Sequence, residues 1–332
     1  MAKAWFYAIA IFLDDNQFVM KIVFMGTPQA AVPALERLIA EGHDVAAVYT
    51  QPDRPSGRGN KVTYSPVKEF AVSKGLPVLQ PTKIKTPEAL EEFRAFEAEA
   101  AIVVAYGRIL PEAFLNAFPL GAINVHFSLL PKYRGAAPVN WAIVHGERTS
   151  GVTTMQMDSG LDTGDILMQS ETHIGDRETS IELMHRLSAI GAELLAETLL
   201  NLGSITPQPQ DESLASYAPI LKKEDGLLSW MLNAIDITNR VRGFQPFPTT
   251  FTYFKDKKLT IWRCKPVEAE FHLKTIGEIV EARGDSLLVF CGGDTVLQIE
   301  ELQLEGKRRV TARDFINGVK PAVGDVFGAA IV

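Results

Sequence analysis

The 332-residue sequence is short of most features that would assign a chain at sight. Its two cysteines, Cys264 and Cys291, give neither a disulfide framework nor a zinc-ligand spacing. A reducing compartment fits them, and a cytoplasmic protein is expected. No apolar run reaches the roughly 18 residues of a membrane span, so no membrane partner is expected. Charge of one sign does not dominate: 33 basic against 40 acidic residues leave a formal net charge of -7, which argues against general coating of nucleic acid. Internal repeats are missing. The turn Gly26-Thr27-Pro28 has one glycine where a dinucleotide fingerprint needs three, so that pyrophosphate can approach a helix N-terminus. That opposes a nicotinamide dehydrogenase. The acidic loop at 157–165 lacks the alternating acids and distant glutamate of an EF-hand, and no metal is expected.

Residues 4–13 form a ten-residue apolar run after a single lysine, as in a signal peptide, but no small-residue cleavage pattern follows. Met20 precedes a first strand. We therefore expect Met20 to be the natural start and residues 1–19 an extension without function, in preference to an export signal.

What is present is a globular composition, 46% hydrophobic and 22% charged, at a length that suits two domains. Charge is unevenly divided. Up to Leu221 there are 17 basic and 25 acidic residues, whereas from Lys222 onward there are 16 and 15, so the C-terminal third repels a polyanion less. Short apolar runs at 21–26, 44–50, 76–80, 100–106, 121–127 and 151–157 alternate with helix-length segments at 30–42 and 65–75. Near-continuous apolar strands separated by helices predict an open α/β sheet, parallel and buried on both faces. Ligands of such sheets sit beyond the carboxyl ends of the strands. A long amphipathic helix is expected from Ser180 to Leu202, capped by Thr179 or Ser180. Residues 205–219, rich in Pro, Gln, Ser and Asp, read as an extended linker. Beyond it, runs at 249–254, 259–264, 277–282, 286–291 and 295–304 have β spacing and turn residues, which predict a small β-barrel or sandwich. The expected division is 20–204, a linker at 205–221, and 222–332.

The chemistry-bearing residues lie just after strands. Asn124 and His126 are two apart at a strand end and so point to one face, where an amide donor and an imidazole could reach a single oxygen. The next acidic loop, 157–165, carries Asp158, Asp162 and Asp165 among Gly160 and Gly164. It is either a solvated turn or an aspartate-rich cation site, or, on the sharper reading, the source of a carboxylate that polarises His126 or orders a water.

Asn124, His126, Ser128-Leu129-Leu130-Pro131 and Asp162 together resemble the motif of the folate-dependent formyltransferase family: an Asn-x-His pair, a Ser-Leu-Leu-Pro loop and a later Asp-x-Gly. The resemblance implies a Rossmann-like catalytic domain followed by an OB-like β-barrel, and transfer of the formyl group of 10-formyltetrahydrofolate, a reduced-folate co-substrate, to an amine. It implies catalysis by Asn124, His126 and Asp162. It also implies a folate pocket from Arg108, Ile109, Leu110, Ser128, Leu129, Leu130, Pro131, Gln156, Met157 and Leu161. Residues 50–68, with Arg54, Arg58 and Lys61, resemble the basic insertion of the family's branch that formylates initiator methionyl-tRNA for translation initiation. Lys255, Lys257 and Lys258, with Lys307, Arg308 and Arg309, are further basic clusters for tRNA phosphates, and solvated surface is their bland alternative. Where that branch has Pro-Gly-Ala this chain has Pro248-Thr249-Thr250, so its local turn and tRNA contact are in question. A monomer is expected. Formyl transfer to a small amine, and folate carriage without catalysis, are the competing readings.

Overall fold

A computed structural model describes residues 18–56, 61–269, 271 and 274–328. The expected N-terminal extension up to residue 17, and Arg58, lie outside the described residues. The chain divides into two compact units. The first takes the residues up to Gly135, Ser150–Thr172 and Met184–Tyr217; the second takes Ala136–Thr149, His173–Leu183 and the residues from Ala218 onward.

The first unit is built on a seven-stranded sheet of β1 (Lys21–Gly26), β2 (Asp44–Tyr49), β3 (Val78–Leu79), β4 (Ala100–Val104), β5 (Ala122–His126), β6 (Thr149–Gln156) and β7 (Ile166–His173). Its order is β7-β6-β5-β4-β1-β2-β3. Strand β1 is central, and Val23, Phe24 and Met25 have no exposed surface, as expected of a strand covered on both faces. Strands β1, β2, β3, β4 and β5 pair in parallel, as the alternation of strands and helices predicted. Strand β6 departs from that expectation and runs antiparallel to β5. A doubly buried strand has the same apolar run in either direction, so composition carries no direction. Strand β7 was not foreseen. It lies at the sheet edge, with Leu167 buried and its alternate residues exposed, and its polar side chains disguise it as loop.

Helices α1 (Val32–Ala40), α2 (Pro66–Ser73) and α3 (Pro87–Arg94) each have proline in the first turn, where its missing N–H costs nothing. The side chains of Ser65 and Thr86 cap α2 and α3. Helix α4 (Ser180–Asn201) starts at a reciprocal cap. The Thr179 N–H donates to Glu182 Oε2 at 2.8 Å, and the Glu182 N–H to Thr179 Oγ1 at 3.4 Å. A Cβ at Gly191 would stand 3.0 Å from Val125 and 3.3 Å from Val152, so glycine lets α4 lie directly on β5 and β6.

The second unit has strands β8 (Thr250–Phe254), β9 (Lys257–Val267), β10 (Ile279–Arg283), β11 (Ser286–Cys291) and β12 (Thr295–Leu304). They are antiparallel, in the order β8-β9-β12-β11-β10. Residues 325–328 join the two ends of that path. The Gly328 N–H donates to Tyr253 O at 3.0 Å, the Phe327 N–H donates to Gly277 O at 2.8 Å, and Val326 bridges Glu278. Helices α5 (Ala234–Gly243) and α6 (Ala312–Val319) pack Ile237, Val241 and Phe315 onto a core of Leu259, Ile261, Val289 and Leu297. Neither helix was foreseen, because each is short, ten and eight residues. Thr249 has φ +65°. The turn thus keeps the left-handed conformation that suits the glycine of the resembling sequences, and a β-branched residue occupies it at a cost.

Candidate active site

Strand β5 delivers Asn124 and His126 to one face, with 8% and 6% of their surface exposed. The His126 Nε2 lies 2.9 Å from Tyr133 O. A carbonyl oxygen only accepts, so Nε2 carries the proton. The other ring nitrogen, Nδ1, faces Asp162 Oδ2 at 3.7 Å, within ion-pair reach of a protonated ring. Asp162 has φ +54°, and its Oδ2 also accepts the Gly135 N–H at 2.7 Å. The structure therefore brings His126 and Asp162 together, with Asn124 on the same strand face.

Residues 128–131 follow β5 closely. Ser128 Oγ donates to Lys132 O at 2.7 Å, and Thr153 Oγ1 accepts the Leu130 N–H at 3.1 Å. Gln169 Nε2 donates to Leu130 O at 2.8 Å. Leu129 fills the space beside Gly151, where a Cβ would approach it within 2.5 Å. These residues are anchored in the protein more than offered to solvent, and Pro131 ends the segment half-buried.

After β4, Ala105 and Gly107 take positive φ values of 47° and 82°. Arg108 donates to Gln51 Oε1 at 3.0 Å, Pro81 O at 2.9 Å and Thr82 O at 3.1 Å. Leu110 is buried in one cluster with Tyr106, Phe114 and Ala122, against which Met157 packs. Gln156 Nε2 donates to Leu120 O and Ala122 O. By contrast, Ile109 and Leu161 stand 73% and 53% exposed. Large apolar side chains exposed on loops are the kind of surface a ligand covers.

The loop after β2 is tied to the segment that follows β4. Gln51 Nε2 and Thr27 Oγ1 both donate to Tyr106 O, at 3.1 and 3.0 Å. Lys68 Nζ reaches Asp53 Oδ2 at 2.5 Å, and Gln80 Nε2 reaches Asp53 Oδ1 at 2.8 Å. Hydrogen bonds from Lys68 and then Gln80 hold the Asp53 carboxyl below the usual carboxylate range. Beyond this base the chain forms a short two-stranded ladder in which Arg54–Ser56 pairs with Lys61–Thr63.

Comparison with known proteins settles the family. Residues 20–199 match the Formyl transferase family, and residues 220–320 match the Formyl transferase, C-terminal domain family. The chain belongs to the formyl transferase family. It is 47% identical over 311 residues to the methionyl-tRNA formyltransferase of Acetivibrio thermocellus, covering 93% of this chain and 100% of that protein. It is 50% identical over 312 residues to the methionyl-tRNA formyltransferase of Koribacter versatilis, covering 93% and 99%. Among solved structures, HypX from Aquifex aeolicus in complex with tetrahydrofolic acid aligns with a TM-score of 0.61 at 16% identity, over 92% of this chain and 48% of that one. The N-formyltransferase from Helicobacter canadensis, bound to folinic acid and dTDP-3-aminofucose, aligns with a TM-score of 0.63 at 18% identity, over 84% and 98%. These two likenesses are of fold.

The second unit of this formyl transferase carries the remaining basic residues. Lys255 pairs with Asp325 at 3.1 Å, Lys258 Nζ stands 3.9 Å over the Phe251 ring, and Lys257 is exposed. A cavity of about 750 Å³ in the same unit is lined by Arg148, Arg177, Arg242, Arg263, Lys265 and Arg309, with Glu147, Asp176 and Glu182 as its acids. Of these six bases only Arg309 was singled out in the sequence. The others come from four separate segments, and no local charge run announces them. Gln51, Arg134 and Gln210 were missed too, because a lone polar residue in a turn or linker looks solvated until its partners are known.

Proposed function

We propose that this protein transfers the formyl group of 10-formyltetrahydrofolate to the α-amine of initiator methionyl-tRNA. The observation that carries the chemistry is the His126–Asp162 pair, on the sheet face that also bears Asn124, at the carboxyl end of β5. The neutral amine attacks the formyl carbon, and negative charge develops on the formyl oxygen. The Asn124 amide and the charge of protonated His126 stabilise that oxygen, and Asp162 supports the ring's charge and orders the water that carries the amine proton to folate N10; the oxyanion then collapses, the C–N10 bond breaks and tetrahydrofolate leaves. An amine is already a competent nucleophile, so no covalent enzyme intermediate is needed.

Exposed Ile109 and Leu161, with buried Leu110 and partly buried Met157, fit the apolar faces of a pterin, and those backbone groups of residues 108–110 and 156–161 not already bonded within the chain meet its polar edge. Arg108 contributes mainly by fixing that backbone. Ser128, Leu129, Leu130 and Pro131 shape the floor, and Gln156 anchors the start of the acidic loop. On this reading residues 20–204 are the catalytic domain, 205–221 the linker and 222–332 the tRNA-binding domain of a cytoplasmic monomer. Arg54, Arg58 and Lys61 clamp acceptor-stem phosphates, and Lys255, Lys257 and Lys258 engage phosphates farther along. Relatives of nearly half identity that bear the name methionyl-tRNA formyltransferase over 93% of the chain favour this acceptor over a small amine.

The deciding experiment offers the purified protein 10-formyltetrahydrofolate with charged methionyl-tRNA, amino sugar nucleotides or glycinamide ribonucleotide. Formylated methionyl-tRNA is expected, and Arg58→Ala should flatten the salt dependence of its formation. Transfer to a small amine only, or formate release to water only, would refute the assignment.

A further inference from the structure

Among the described residues, Arg134 is the only Arg, Lys, Asp or Glu that is buried, and it has no exposed surface. A guanidinium withdrawn from water is tolerated only when its donors are matched by acceptors. Glu212 accepts from Nη1 and Nη2 at 2.9 and 2.8 Å, and Gln210 Oε1 accepts from Nε and Nη2 at 2.9 and 2.8 Å. This second contact orients the Gln210 amide, since the reversed amide would face the guanidinium donor to donor. Its Nε2 is thereby aimed at two carbonyl oxygens of the acidic loop, Asp162 O and Gly164 O, each at 2.8 Å. Asp162 is the left-handed residue of that loop.

The neighbours of Arg134 complete the arrangement. Tyr133 O accepts from His126, and the Gly135 N–H donates to the Asp162 carboxylate. The segment is itself pinned to the linker, because the Tyr133 N–H donates to Ser216 Oγ at 2.9 Å and the Arg134 N–H to Ser216 O at 2.8 Å. Three consecutive residues thus set His126, the backbone of Asp162 and the carboxylate of Asp162 against one another.

We propose that Arg134 and Gln210 are positioning residues for formyl transfer, holding Asp162 in its left-handed conformation so that its carboxylate faces His126. Glu212 supplies the counter-charge that lets Arg134 do this from a buried site. The linker that carries Gln210 and Glu212 is then part of the active-site framework as well as a connection. The inference rests on the assignment of His126 and Asp162 as a reacting pair.

The informative variant is Gln210→Glu. It keeps the side-chain shape and pairs well with Arg134, but it replaces the Nε2 donor with an oxygen facing two carbonyl oxygens. We expect its melting temperature to fall by a few degrees at most, since the added ion pair with Arg134 offsets part of the loss of two hydrogen bonds, and folate affinity to stay within about threefold. A displacement of roughly 1 Å at Asp162 should lower kcat for methionyl-tRNA by about 100-fold. Gln210→Leu, which lacks the donor without adding repulsion, should lose kcat and leave the KM for folate near the parent's. Parental kcat in both variants would overturn the proposal. Hydrogen exchange at the Gly135 amide supplies a readout that does not depend on turnover, since that N–H is protected by the Asp162 carboxylate. Should the parent fail to formylate methionyl-tRNA, the functional assignment falls, and exchange decides the positioning: faster exchange at Gly135 in Gln210→Glu upholds it, and unchanged exchange overturns it.

Discussion

Gly164→Ala tests how finely the acidic loop must be placed. A Cβ at this position would lie 1.7 Å from Gln156 O and 3.3 Å from Asp158 N. Real Cβ contacts stay beyond about 3.0 Å, so the loop and the end of β6 must part by about 1.3 Å. Both obstacles are backbone, and no flexible side chain can yield. Gly164 lies outside the left-handed region, so the penalty is steric alone. Strand β6 is held by the sheet, so the loop moves, and it carries Asp162 with it. A misplacement of about 1 Å costs roughly 100-fold in rate, about 2.7 kcal/mol at 1.36 kcal/mol per tenfold. The Gln210–Gly164 and Gln156–Asp165 hydrogen bonds would weaken as well, at about 1 kcal/mol each, lowering the melting temperature by several degrees. Single-turnover formylation of methionyl-tRNA, folate titration and a thermal melt measure the three quantities. Gly203→Ala, where nothing lies within 4 Å of the added carbon, is the matched control. Parental kcat in Gly164→Ala would show that Asp162 need not be held where it stands, and the argument for the pair would fail.

Other outcomes follow from the same coordinates. Asn124→Ala should lose about 100- to 1,000-fold in kcat, as other single oxyanion donors do, while folate binding survives; equal loss of both would contradict the oxyanion role. Ile109→Ala should raise the KM for folate about fivefold to thirtyfold, the equivalent of about 1–2 kcal/mol of apolar contact, and an unchanged KM would remove Ile109 from the pocket. Thr249→Gly relieves a β-branched residue at φ +65°, roughly 1–2 kcal/mol, against an entropic cost of about 0.5–1 kcal/mol. A melting temperature raised by a few degrees is expected, and a lowered one would mean that Thr249 is not strained. Burial pushes the thiols of Cys264 and Cys291 up to about 12. Thiolate, the reactive form, is therefore scarce at pH 8. Iodoacetamide should label neither cysteine in the folded protein and both in denaturant, as read by mass spectrometry.

Much of the first sheet was legible because β1, β2, β4 and β5 are apolar throughout and lie between proline-started helices. Their pattern and their burial have one cause. The direction of β6 was not legible, since an apolar strand looks the same from either end. Strand β7 was hidden by its exposed face, and α5 and α6 by their brevity. The site shows the same division. Asn124 and His126 were readable from their spacing of two at a strand end, whereas Asp162 was readable only through the family motif, because β6 runs antiparallel and ends beside the start of β5. Gln51, Arg134 and Gln210 act through partners 55, 76 and 48 residues away, and no local pattern records such distances. The basic cavity of the second unit is illegible for the same reason.

The left-handed backbone at Asp162 has a physical logic of its own. An aspartate released from its hydrogen bonds would relax towards right-handed or extended conformations, and its carboxylate would swing away from the His126 ring. Strain of this kind persists only where surrounding structure over-determines it, and here the constraints are countable: Gln210 on the carbonyl, Gly135 on the carboxylate, and the tight passage of Gly164 beside Gln156. A carboxylate fixed in advance does not have to reorganise while charge moves through the imidazole, and that is the condition under which a fixed charge lowers a barrier. Composition alone would give residues 205–219 freedom. The Gln210 and Glu212 contacts exchange that freedom for order at Asp162, so changes to this stretch that spare the pairing of Arg134 but release the Asp162 and Gly164 carbonyls should damage turnover before they damage folding.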